Sequence, residues 1–173
     1  MALSFKIRIS KNKQNFKIVK TMYTMKHFTM RELTHSATAQ RLGINNEPTE
    51  AVKANLIALV EHILDPLREA WGTPIKVSSG YRCPRLNEAV HGAKSSQHML
   101  GQAADIHAMS DSPAENRKLL DLIIKLGLPF DKLINEYPNK KMQPDWIHVS
   151  YSPMNRRQKF TCIKGKYIAG LNG

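Results

Sequence analysis

Between residues 49 and 71, apolar side chains fall at Val52, Leu56, Leu59, Val60, Ile63, Leu64, Leu67 and Trp71. Steps of three and four gather them on one side of a helix, and such a stripe has to be buried against another surface. Pro48 suits the first turn and Gly72 the end. Pro66 has no N–H to give and its ring crowds the preceding turn, which predicts a kink or break near His62–Asp65. The longest unbroken apolar run is Leu56–Val60. A membrane helix needs roughly 20 such residues, so a transmembrane reading is excluded.

The partner surface is predicted further along. Ile75–Ser78 reads as a short strand leading into a turn at Ser79-Gly80, and Leu86–His91 as a helical turn closed by Gly92. Ala103–Met109 reads as a strand. Ser112-Pro113-Ala114-Glu115 has the form of a capping box with proline at the first helical position; it opens a helix through Leu119, Leu122, Ile123 and Leu126, closed by Gly127. Leu133–Tyr137 and Trp146–Tyr151 are expected to pair antiparallel across a polar connection, with a last hairpin of Thr161–Lys164 and Tyr167–Ala169 around Gly165. Helices early and strands late make an α+β domain with helices packed on a central antiparallel sheet.

With 173 residues, 42% hydrophobic and 23% charged, the chain suits one folded domain with tails. Its net charge of +12 is concentrated at the ends. Lys6, Arg8, Lys11, Lys13, Lys17, Lys20 and Lys26 meet no acid within residues 1–26, and Arg156, Arg157, Lys159, Lys164 and Lys166 meet none within residues 154–173. The expected organisation is a basic N-terminal extension (1–26), a neutral body (27–153) and a basic C-terminal segment with a hairpin (154–173). Met25-Lys26-His27 makes a natural beginning, so residues 1–24 read as dispensable. Cationic flanks concentrate a protein near polyanions. The opening alternates Leu3, Phe5, Ile7 and Ile9 with polar residues, and so lacks the continuous core of a secretory signal. Cys83 and Cys162 form no CxxC pair and are expected to be reduced.

Three residues suggest a metal. His98 and Asp105 flank Gly101, and His148 lies in the strand Asp145-Trp146-Ile147-His148-Val149-Ser150-Tyr151. Strand side chains alternate, so Ile147, Val149 and Tyr151 take one face while Trp146, His148 and Ser150 take the other. Two imidazoles and a carboxylate suit Zn²⁺ and leave a fourth position for water. His27, His35, His62 and His91 have no motif context, and His107 reads as a bystander.

The stretch Ser96-Gln97-His98-Met99-Leu100-Gly101-Gln102-Ala103-Ala104-Asp105 follows the pattern Ser-x-His-x-x-Gly-x-Ala-x-Asp. With Ser79-Gly80-Tyr81-Arg82 upstream and Trp146-Ile147-His148 downstream, it resembles the zinc D-alanyl-D-alanine carboxypeptidase family, which cleaves peptide stems of bacterial peptidoglycan and shares its fold with the hedgehog signalling domain. The resemblance covers about residues 27–152, and His27–Leu33 is similar to the start of small phage and bacterial members. It implies His98, Asp105 and His148 as zinc ligands, Arg82 as partner of a substrate carboxylate or carbonyl oxygen, and Ser96 as a hydrogen-bonding residue for substrate or a cap of its own turn. Gly101 would serve a backbone conformation closed to other residues. The family often carries a glutamate three residues before the last histidine. Asp145 stands there and is the preferred general base, with Glu136 on the neighbouring strand as its rival.

The resemblance thus implies a monomeric zinc peptidase, made in the cytoplasm without a signal and acting at the cell wall or periplasm as a phage lysin or virion component. Carboxypeptidase and endopeptidase action both remain open. The basic flanks would hold it near anionic wall or outer-membrane polymers. A zinc-containing wall-binding module without hydrolysis is the alternative. Nucleic acid is a poor partner, since no recognised motif accompanies the basic flanks.

Overall fold

A computed structural model describes residues 23–171. The basic residues up to Lys20, and the alternating opening, lie outside the described residues. Chain order begins with two short helices, α1 (Met30–Thr34) and α2 (Ala37–Arg41). Thr29 and Glu32 close a capping box on the first, and Ser36 caps the second.

The amphipathic stripe forms one long helical rod of α3 (Glu50–Leu59), a π-helical segment (Val60–Leu64) and α4 (Asp65–Trp71). Pro66 acts on the turn before it. The Asp65 N–H reaches back to the Val60 carbonyl, a wider loop than the α-helix makes. The chain thereby passes proline without a break. The rod ends at Gly72, whose φ of 82° lies in the left-handed region.

Among the described residues six strands form one sheet: β1 (Ile75–Ser79), β2 (Ala103–Ala108), β3 (Lys132–Glu136), β4 (Trp146–Ser150), β5 (Gln158–Ile163) and β6 (Lys166–Ala169). Their order is β1-β2-β4-β3-β5-β6, antiparallel except where β5 runs parallel to β3. The helix α5 (Pro84–Ala89) follows β1, and α6 (Pro113–Lys125) follows β2. The expected capping box at α6 does not form. Ser112 makes no side-chain cap; the Glu115 carboxylate accepts from the Ser110 hydroxyl at 2.7 Å, and the Ser112 N–H donates to that hydroxyl instead of to Glu115.

Leu56, Leu59, Ile63 and Leu67 from the rod meet Leu119 and Ile123 of α6 and Ile106, Leu133, Ile147 and Val149 of the sheet in one core. Strand alternation sends Asp105, Ile134, Glu136 and His148 to the opposite face. The sheet therefore has a greasy side that anchors it and a polar side free for chemistry.

Both ends of the described chain are tied to the body. Asp65 is buried and needs donors, and it receives the Tyr23 hydroxyl at 2.8 Å, the Lys26 N–H at 2.9 Å and the His27 N–H at 3.0 Å. The chain is tied to the body from Tyr23 onward. At the other end, the expected hairpin around Gly165 forms as β5 and β6, and β5 joins the main sheet beside β3. Arg156 grips the fully buried Asp131 through side chain and backbone, and Arg157 donates to the Leu128 carbonyl at 3.1 Å. Cys83 and Cys162 are both free thiols.

Candidate active site

His98, Asp105 and His148 converge although they arise from three separate elements. His98 sits in a single 3₁₀ turn, Gln97–Leu100. Ser96 caps that turn, its hydroxyl accepting from the His98 N–H at 3.3 Å, which is the capping role left open for it. Gly101 ends it with a φ of +67°, and a Cβ there would lie 2.7 Å from the Val52 carbonyl oxygen. Asp105 on β2 and His148 on β4 are direct cross-strand partners, so the pleat delivers both to one face.

His98 Nε2 lies 3.2 Å from Asp105 Oδ1 and 3.2 Å from His148 Nδ1, and His148 Nδ1 lies 3.0 Å from Asp105 Oδ1. The three residues are 2%, 8% and 9% exposed. Donors held in a tetrahedron at Zn²⁺ bond lengths stand roughly 3.3–3.6 Å apart, so the observed triangle fits that ion to within a few tenths of an ångström. The protonation states also suit it. Burial opposes a charge on Asp105, but the two imidazoles outweigh it and hold the carboxyl well below the usual range. Burial pushes His148 below the ordinary histidine value, partly offset by Asp105. An ionised carboxylate beside a neutral imidazole is the state a divalent cation requires.

Arg82 stands behind this triangle. Its Nη2 donates to Asp105 Oδ2 at 2.7 Å and its Nε to the Ser79 hydroxyl at 2.8 Å, while its backbone N–H reaches the His98 carbonyl. The guanidinium expected to meet substrate is thus committed first to orienting a ligand, although the residue also lines the cleft. The cleft itself has a volume of about 840 Å³ and is bordered by His35 and Tyr81 on one side and Tyr137, Trp146 and Tyr167 on the other. The Tyr137 and Trp146 rings stack with centroids 5.1 Å apart.

The two candidate bases separate clearly. Glu136 is buried, lines the cleft and pairs in register with Trp146, one pleat from Ile134 and its partner His148. Burial raises its pKa, with opposing pulls from Cys162 and His148. Asp145 is exposed and is not among the cleft-lining residues; its backbone N–H donates to the Glu136 carbonyl and its carbonyl accepts from Asn116. His107 pairs with Asp111 at 2.9 Å and does not line the cleft. His62 stacks on Tyr151. Lys132, Gln97 and Tyr167 line the cleft and were not anticipated. Period-two alternation from Glu136 through Ile134 to Lys132 was the available signal for the first.

Two imidazoles and a carboxylate at the floor of an open cleft, on the polar face of an α+β sheet, are the donor pattern of a mononuclear metallohydrolase. Comparison with known families makes this specific: residues 26–150 match the family described as Peptidase M15. The chain belongs to that family of zinc D-alanyl-D-alanine carboxypeptidase-type metallopeptidases. No curated protein matches it. The match ends at the last residue of β4, so β5 and β6 lie beyond it.

Proposed function

We propose that this protein is a zinc-dependent peptidase that cleaves stem peptides of bacterial peptidoglycan. The observation that carries the reading is the His98–Asp105–His148 triangle sharing one cleft with Arg82 and Glu136. His98 Nε2, Asp105 Oδ1 and His148 Nδ1 would hold the ion. Bound there, Zn²⁺ would polarise the scissile carbonyl and lower the pKa of water.

The chain's own groups do the rest. Glu136 takes a proton from the attacking water and returns it to the departing amine, and burial keeps its proton affinity closer to that task than an exposed glutamate's. It replaces Asp145 as base in this proposal because it faces the cleft. Arg82 fixes Asp105 and, lining the cleft, would add positive charge beside the developing oxyanion. Ser96 keeps the His98 turn in place while bordering the cleft.

In the C-terminal basic segment the free cations narrow to fewer residues. Arg156 and Arg157 are used within the fold, whereas Lys159, Lys164 and Lys166 are exposed on β5, β6 and the turn between them. These lysines would draw the enzyme to anionic wall polymers. No described helix is long and apolar enough to cross a membrane. Action at the wall, as a lysin or virion component, fits this set.

Mass spectrometry of muropeptides before and after digestion, with a chelator control, tests the reading. New amine ends that require Zn²⁺ support it and identify the bond as terminal or internal. Intact stems under all conditions reject it, and wall binding without hydrolysis would put a non-catalytic module in its place.

A further inference from the structure

Among the described lysines and arginines, only Arg82 and Lys132 line the cleft. Arg82 is already bound to Asp105 and Ser79. Lys132 forms no ion pair among the described residues, although it is partly buried. Lys132 is therefore the cleft-lining cation that no described carboxylate engages, and it is free to meet an anionic group of a bound substrate.

Its placement relative to the chemistry is defined by register. On the cleft face of the β3–β4 pair, Glu136 stands opposite Trp146, Ile134 opposite His148, and Lys132 opposite Ser150. Successive positions on one strand face are roughly 6.6 Å apart. Lys132 therefore stands one step beyond the ligand His148, on the side away from Glu136. Its backbone is pinned there: the Lys132 N–H donates to the Ser150 hydroxyl at 3.0 Å, and that hydroxyl donates to Gln97 Oε1 at 2.9 Å. Gln97 in turn donates from Nε2 to the buried Asp131 at 2.9 Å. The Lys132 backbone is thus built into the same scaffold that carries His98.

We infer that Lys132 is the specificity-determining cation of the cleft, and that it binds a free carboxylate of the substrate one residue from the scissile bond. This rests on the peptidase reading and deepens it. A stem peptide offers that chemistry in two places, the C-terminal carboxylate of a terminal D-alanine and the α-carboxylate of a γ-linked D-glutamate. An ammonium suits either as a point charge on a flexible stem, where Arg82 supplies the fixed fork for Asp105.

The experiment compares paired peptides with the zinc-loaded full chain. One arm is acetyl-Lys-D-Ala-D-Ala and its C-terminal amide. The other is L-Ala-D-Glu joined through its γ-carboxyl to L-Lys amide, and the same peptide with the glutamate α-carboxylate converted to carboxamide. The wild type is expected to prefer the acid in one arm by roughly tenfold to a hundredfold in kcat/KM, the range for a hydrogen bond to a charged group. In Lys132→Met the acid-to-amide ratio collapses towards one, and Lys132→Arg restores part of it. Zinc content and thermal midpoint of each variant report whether the fold is retained. Equal rates on acid and amide, or an unchanged ratio in Lys132→Met with the fold retained, overturn the inference. So does cleavage of whole peptidoglycan with neither arm touched, which leaves the peptidase reading standing. No cleavage of any substrate by the wild type removes that reading and this inference with it.

Discussion

His98 Nδ1 lies 2.6 Å from the carbonyl oxygen of Gly80. A carbonyl only accepts, so Nδ1 carries the proton and Nε2 keeps its lone pair for the cleft. The bond joins the β1–α5 turn to the metal-ligand turn across the sheet edge. Gly80 can reach because it has no side chain: a Cβ would lie 2.1 Å from the Leu33 carbonyl oxygen, a backbone atom. Gly80→Ala should therefore push the turn away, destabilise the protein by about 1–3 kcal/mol and weaken Zn²⁺ binding through loss of the orienting bond. Thermal unfolding with and without Zn²⁺ checks both effects. A variant with unchanged midpoint and unchanged zinc affinity would show that the contact does not matter.

The Arg82–Asp105 contact makes a related prediction about the other ligand. With Nη2 on Oδ2, Asp105 presents Oδ1 to the histidines. Partners of this kind are worth roughly 10–100-fold in metal affinity. Arg82→Ala should lose about that much in a competition titration against a chromogenic chelator. Arg82→Lys should recover little, since one ammonium cannot serve Ser79 and Asp105 in the same fork geometry.

Much of this site is legible in the sequence itself. The alternation in 146–151 already separated His148 from the core, and the Ser-x-His-x-x-Gly-x-Ala-x-Asp stretch marked its partners. The features that were not legible are long-range. Nothing local to Arg82 says that its fork is spent on Asp105. That Glu136 lines the cleft while Asp145 does not is visible only once Ile134 is known to sit opposite His148. The parallel pairing of β5 with β3 depends on a crossover whose anchor, Asp131, looks like an ordinary surface acid in the sequence. The π-helical passage past Pro66 likewise needs the register of the whole rod, where the residues alone predicted only a kink.

The separation of the two carboxylates gives a direct kinetic test. Glu136→Gln should lower kcat by about 10²–10⁴-fold, the usual span for a lost general acid–base, while zinc uptake persists. Asp145→Asn should leave kcat near that of the parent. Burial raises the Glu136 pKa, and the base works only when deprotonated. The rising acid limb of kcat/KM should therefore lie above the ordinary glutamate value of about 4.3. A limb at or below that value, or a crippled Asp145→Asn, would return the role to Asp145.

The Arg156–Asp131 pair predicts how the fold responds to acid. Asp131 is fully buried and receives the Arg156 guanidinium, the Arg156 N–H and Gln97. Its hydrogen bonds with Arg156, partly opposed by burial, hold its pKa far below the usual carboxylate range. A group whose folded pKa is depressed stabilises the fold above its unfolded pKa, about 3.9 for aspartate, and loses that contribution as pH falls towards the folded value. Arg156→Ala leaves a buried carboxylate short of donors and should cost about 1–3 kcal/mol at pH 7, with Arg156 partly exposed and so partly screened. In urea unfolding, the difference between wild type and Arg156→Ala should stay constant from pH 7 to about pH 5 and shrink below pH 4. Because Gln97 shares Asp131 with Arg156 and directly precedes His98, the variant should also bind Zn²⁺ more weakly. A stability gap that does not change with pH would mean that packing, not this charge, holds the C-terminal strands to the site.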